Sequence, residues 1–267
     1  MKIFELFSDK KNGFKITLVA FLLIFVFSPR LTLAQTLSLL VEYIGAGTDY
    51  ETPAYILQSQ DKEDKEPVIM IVAGIHGDEI AGIKAAEYLK DNLEIEKGTL
   101  IIIPQANILA CKKRVRNYPP EVNLNRVYPG NLQGNEIEKL AYEIFNLAKK
   151  YDIDMLIDLH ESIEFYRKNP QNYGQTIVID SNDDYLFQLS SFLAEEMNAD
   201  IVEEEHKYQV LVDPIPGSTA YSAYYQLGIP ALTFETCKKL PLSFRIEEHR
   251  KLIETILLNG KLISLKK

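Results

Sequence analysis

The run "VIMIVAGIHGDEIAGIKAAEYLKDNL" (residues 68–93) sets the architecture. Its first part, "VIMIVAG" (68–74), is continuously apolar and reads as a buried strand. Its last part, "IAGIKAAEYLKDNL" (80–93), carries helical periodicity. Between them lie His76 and Glu79, three residues apart, with Gly74 and Gly77 for a tight backbone turn. A chain that leaves a buried strand and at once presents an imidazole and a carboxylate is either capping a helix or building a site. A glutamate at a helix start is ordinary, so this stretch alone leaves both readings open.

The same alternation of short apolar runs and longer periodic segments continues downstream, which predicts an α/β sheet fold. "GTLIIIPQAN" (98–107), "DIDMLIDLH" (152–160), "QTIVID" (175–180) and "IPALTFET" (229–236) read as strands. Helices are expected over 135–150, 183–198, 217–228 (opened by Ser218 and closed by Gly228) and about 244–258. The stretch 108–131, rich in Asn, Pro, Arg and Tyr, reads as a long loop, and long loops inside compact domains are usually functional or disordered. The candidate residues fall at strand ends, where open α/β sheets build their sites.

The amino terminus stands apart. Lys10, Lys11 and Lys15 precede an apolar run, Ile16–Phe27, followed by Pro29 and "LTLA". The run is short of the about 20 residues that a membrane span needs and suits a secretory signal. Residues 1–34 are therefore expected to be a signal peptide for export, with an uncleaved anchor as the alternative. Residues 35–267 then form a single catalytic domain. Removing the leader takes away five cations and two anions, moving the net charge from −9 to −12. No clustered basic footprint remains, which excludes nucleic acid as a partner. Cys111 and Cys237 permit at most one disulfide, and their spacing does not say whether it forms.

His160 ends the strand "MLIDLH", 84 residues after His76. Two histidines and a carboxylate are a ligand set for catalytic zinc that leaves a position for water. His206 in "EEEHKYQ" and His249 in "IEEHRK" sit among charges and read as solvated. A zinc hydrolase also needs a base, and Glu235 in "ALTFETC" closes an apolar strand where burial would raise its pKa. The competing reading pairs Glu235 with Lys238 or Lys239. In the long loop, Arg114, Arg116, Asn125 and Arg126 favour anion recognition, since guanidinium grips carboxylate through two hydrogen bonds.

"GIHGDE", "NLNRVYPG", "DLHES" and "TFET", in that order across residues 74–236, resemble the zinc-dependent carboxypeptidase superfamily, and most of all its succinylglutamate desuccinylase/aspartoacylase branch. The resemblance implies a mixed central sheet flanked by helices, zinc-carboxypeptidase-like (phosphorylase/hydrolase-like). It implies one Zn2+ ion on His76, Glu79 and His160, with Glu235 as general base and acid. It places Asn125 and Arg126 on a substrate carboxylate, and an upstream arginine, Arg116 before Arg114, on the substrate. Many relatives have Asp where this chain has Asn123, whose amide oxygen can still orient the first histidine but carries no charge. Peptidase relatives also place a tyrosine before the base; here Tyr208 or Tyr221 is expected to substitute. The 32 residues after Glu235 leave no room for an added carboxyl-terminal domain. The implied substrate is an acylated amino acid or a short peptide with a free carboxylate. The implied activities are N-acyl amino acid deacylation or peptide cleavage, including peptidoglycan stems; a non-catalytic zinc or ligand-binding module is the third reading.

Overall fold

In the computed structural model, which describes residues 38–59, 66–260 and 263–264, the sheet grows outward from the run that precedes His76. The strands are β1 (Ser38–Ile44), β2 (Thr52–Gln58), β3 (Val68–Ala73), β4 (Glu94–Ile95), β5 (Thr99–Ile103), β6 (Met155–Ser162), β7 (Thr176–Ile179), β8 (Gln209–Val212), β9 (Ala231–Cys237) and β10 (Ile263–Ser264). The helices are α1 (Ile80–Asn92), α2 (Ile108–Lys113), α3 (Glu136–Lys150), α4 (Asp184–Asn198), α5 (Thr219–Ser222) and α6 (Leu242–Asn259). Eight strands make one sheet in the order β1-β2-β5-β3-β6-β9-β7-β8, and β4 pairs with β10 separately.

Strands β5, β3, β6 and β9 run parallel at the centre; β1 and β2 pair antiparallel on one side, and on the other β7 is antiparallel to β9 with β8 parallel to β7. The central runs are apolar on both faces because both faces are covered. On one face Ile69, Ile71, Ile157, Leu232 and Phe234 pack with α1, α4 and α6. On the other, Met70, Val72, Leu156 and Ala231 pack with α3 and α5. Helix α3 buries Ile137, Leu140, Ala141, Ile144 and Ala148, an i, i+3, i+4 stripe.

The mixed sheet flanked by helices is as expected, and the differences are local. The stretch 108–131 is not all loop. Asn107 caps α2 through its side-chain oxygen, and the residues around Asn125 form a 3₁₀ turn, Leu124–Arg126. Strands β1, β2 and β8 carried no sequence expectation. β2 contains Pro53 and β8 has four residues, so neither shows a clear period-2 signal. His249 is a correction: it is fully buried, its Nε2 3.2 Å from Thr236 Oγ1 and its ring edge-on to Phe234. It sits three, four and seven residues before Leu252, Ile253 and Ile256, so it shares the core stripe of α6 while Glu247 and Arg250 pair outside. His206 stays near the surface, stacked on Phe165. Both cysteines are free thiols. Among the described residues no helix is long and apolar enough to cross a membrane. The expected leader, 1–34, lies outside the described residues.

Candidate metal centre

The parallel strands β3, β6 and β9 deliver their carboxyl ends side by side. His160 lies directly across from Glu235 in the β6–β9 register, and Ala73, three residues before His76, pairs with Leu159. Two glycines let the turn after β3 reach this edge. Gly74 has φ +69°, and a side chain on Gly77 would meet the backbone of Ala110 at 2.0 Å.

His76, Glu79 and His160 are each at most 2% exposed. Glu79 stands at the N-cap of α1 but makes no cap hydrogen bond with its side chain. Its carboxylate turns inward instead, 2.8 Å from His76 Nδ1 and 2.7 Å from His160 Nδ1. The flanking imidazoles hold the Glu79 carboxyl far below the ordinary range even though burial alone would raise it, and Asp158 and Glu79 push His160 well up. One ligand atom from each of the three residues lies within 4.8 Å of the others.

The outer nitrogens are also engaged. His76 Nε2 is 3.1 Å from Asn123 Oδ1, and His160 Nε2 is 3.0 Å from Asp158 Oδ2. In this structure each Nδ1 meets the Glu79 carboxylate as a hydrogen-bond donor; a proton kept instead on Nε2, towards Asn123 and Asp158, would free Nδ1 to ligate a metal. Two inward imidazole nitrogens and a carboxylate, buried together and oriented from behind, fit zinc with a coordination position to spare. Asp158 was not anticipated. It lies two residues before His160 on the same strand, hence on the same face, and that spacing was the available signal.

Glu235 faces the same side of the sheet. Its Oε2 is buried with no hydrogen-bond partner, and burial pushes its pKa to about 8. The competing salt bridges do not form, because Lys238 pairs with Asp78 and Lys239 with Glu164.

Arg116 donates from Nη1 to Glu79 Oε1 at 2.9 Å with its side chain 51% exposed, so it reaches the centre from solvent. Arg114 is instead the left-handed cap of α2, φ 54°. Arg126 is exposed, anchored by Nη1 to the Asn125 carbonyl at 2.6 Å, and feels the charges of Arg116 and Glu235. Asn125 is buried: its Oδ1 accepts from Thr219 N–H and Oγ1, and its Nδ2 lies 3.3 Å from His160 Nε2. The structure therefore turns Asn125 inward, where a substrate carboxylate was expected to meet it. Tyr208 is a second correction. It is buried against Phe234 on the opposite face of the sheet from Glu235, so it cannot meet substrate beside the base. Tyr221 packs at a tilt against Tyr225, with ring centroids 4.5 Å apart. The tyrosine whose phenol senses both Glu235 and Arg126 is Tyr173, which donates to Asp213 at 2.6 Å. No sequence pattern distinguished it.

Residues 65–259 match the succinylglutamate desuccinylase/aspartoacylase catalytic domain. The chain belongs to that family. It is 36% identical over 102 residues to an N-alpha-acetyl-L-2,4-diaminobutyric acid deacetylase of Halomonas elongata, covering 37% of this chain and 30% of the relative. Among solved structures, the Helicobacter pylori cell shape determinant Csd4 (Gln46His variant) superposes with a TM-score of 0.70 at 23% identity, over 80% of this chain and 56% of Csd4. An aspartoacylase family protein of Mesorhizobium loti gives a TM-score of 0.63 at 19% identity, over 87% of this chain and 69% of that one. The fold is thus zinc-carboxypeptidase-like, and the chain spans less than a third of the deacetylase and just over half of Csd4.

Proposed function

We propose that this chain is an exported zinc-dependent amidohydrolase that cleaves an amide next to a free carboxylate. The observation that carries the reading is the convergence of His76 Nδ1, Glu79 and His160 Nδ1 beside Glu235, a carboxylate with a buried, unpartnered oxygen. Zinc held by the three residues would polarise the scissile carbonyl and acidify a water molecule. Glu235 takes the proton from the attacking water and returns it to the leaving nitrogen. Arg126, exposed beside the centre, grips the substrate carboxylate and sets which amide faces Glu235. Arg116 supplies positive charge for the oxyanion as the carbonyl is attacked. Asn123 and Asp158 hold the two imidazoles from behind. Export is supported by the leader-like pattern of residues 1–34.

Deacylation of an N-acyl amino acid is the favoured reaction, in line with the family match and with the acetylated substrate in the H. elongata relative's name. Peptide cleavage is the second reading, favoured by the likeness to Csd4, which is described as a D,L-carboxypeptidase and has been solved with a tripeptide. Replacing Glu235→Gln and assaying zinc-loaded protein on N-acyl amino acids and muropeptides tests both. The expected outcome is loss of about 10²–10⁴-fold in kcat on whichever class the wild type cleaves. Unchanged turnover would remove Glu235 from the mechanism. Zinc bound at one equivalent with no turnover of either class would mark a binding module.

A further inference from the structure

Helix α1 begins at the metal centre without the usual provisions. Its N-cap residue, Glu79, makes no cap bond, and its first turn carries no acidic side chain. One of its free N–H groups is nonetheless met from outside the helix. Glu161, from β6, accepts from Ala81 N–H at 2.8 Å with a side chain that is completely buried. A carboxylate borrowed from another strand thus serves the helix terminus in place of a local cap.

Glu161 has two further engagements. Its backbone N–H donates to Glu79 Oε2 at 3.1 Å. Its second carboxylate oxygen pairs with Arg245 Nη1 of α6, and Arg245 Nε in turn donates to the carbonyl of Leu240. Residue 161 therefore pins 79 and 81 at once, and it follows His160 directly. A second ion pair acts on the same loop: Lys238 Nζ meets Asp78 Oδ2 at 2.6 Å, while Lys238 N–H donates to Ser162 O at 2.7 Å. The loop that carries His76 and Glu79 is fastened by charge to the ends of β6 and β9.

We propose that Glu161 and Arg245 are a positioning pair that sets the separation of the two ligand segments and thereby the affinity of the centre for zinc. The inference rests on the metal-centre reading above. The pair touches neither substrate nor reacting atoms. It acts through Glu79, whose carboxylate must sit at hydrogen-bonding distance from imidazoles delivered by segments 84 residues apart. A buried carboxylate whose partner is a guanidinium cannot drift, because leaving the pair strands a charge out of water. Fixing Glu79 and Ala81 against residue 161 converts that rigidity into a fixed ligand spacing.

The test compares wild type, Glu161→Gln, Arg245→Lys and Glu247→Gln, the last an exposed ion-pair residue of the same helix. Zinc dissociation constants are measured by chelator competition, with KM and the melting temperature of zinc-free protein measured alongside. Glu161→Gln is expected to weaken zinc about 10–100-fold, the range for groups behind a ligand. Arg245→Lys should lose less, Glu247→Gln nothing, and KM should stay near the wild-type value. Lower melting temperatures with zinc affinities equal to wild type in both pair variants would overturn the proposal, leaving the pair a purely structural role. Should Glu161→Gln fail to fold, Arg245→Lys decides by the same criterion. A wild type that binds no zinc overturns the metal reading and the pair with it, whereas a wild type that binds no better than its variants overturns the pair alone.

Discussion

Asn123 stands where the family resemblance implies an aspartate. Its amide oxygen faces His76 Nε2 at 3.1 Å and accepts a second bond from Asn125 N–H. A neutral acceptor orients the ring but adds no negative charge to raise its basicity. Asn123→Asp should therefore tighten zinc, by about tenfold or more, measured by chelator competition at fixed pH. An unchanged constant would show that orientation alone sets affinity here. At this scale the residues that cluster were largely visible beforehand. His76, Glu79, His160 and Glu235 announce themselves because ionisable groups closing apolar runs need a reason to be there. Asp158 and Glu161 hide inside the same run as His160, where a sequence does not show which face each serves or what stands across from it. Tyr208 was misjudged because nearness along the chain to Glu235 says nothing about the side of the sheet.

Among the elements, α3 is specified most completely. Asn135 accepts from the N–H groups of Ile137 and Glu138, and Glu138 reaches back to Asn135 N–H. Asn135→Ala should cost about 1 kcal/mol, read as a lowered melting temperature with zinc affinity unchanged. Such local signals explain why α3, α4 and α6 were legible to within a few residues. They also explain the misses. α2 is a six-residue helix inside a segment whose Pro and Asn content masks it, though Asn107 caps it in the ordinary way. β1, β2 and β8 flank the parallel centre and owe their structure to pairing with neighbours already in place, which no local window contains.

Across the whole molecule, the face of the sheet opposite the candidate metal centre buries a second set of ionisable groups. Burial lifts the Glu248 carboxyl to about 7 and drives the His249 imidazole down to about 3. For Glu248 the raised value means that folding favours the protonated form. That stabilisation is whole below about pH 4.5 and is lost as pH rises through 7. For His249 the depressed value means that stability is full above about 6.5 and is lost as pH falls towards 3. Glu248→Gln should therefore gain stability relative to wild type between pH 5 and 8, by up to about 3 kcal/mol, seen in denaturant midpoints at the two pH values. Parallel changes in both proteins would place the titration elsewhere.

The order in which the central strands leave the chain has a consequence in time. β5, β3 and β6 are neighbours in the sheet, and the last of the three metal-facing side chains, His160, belongs to β6; Glu235 arrives on β9, 75 residues later. During synthesis the candidate ligands therefore precede the proposed base. On the proposed function, a chain extended only through β6 would carry the three candidate ligands without the proposed base, and hydrolysis would wait for β9 to pair with β6.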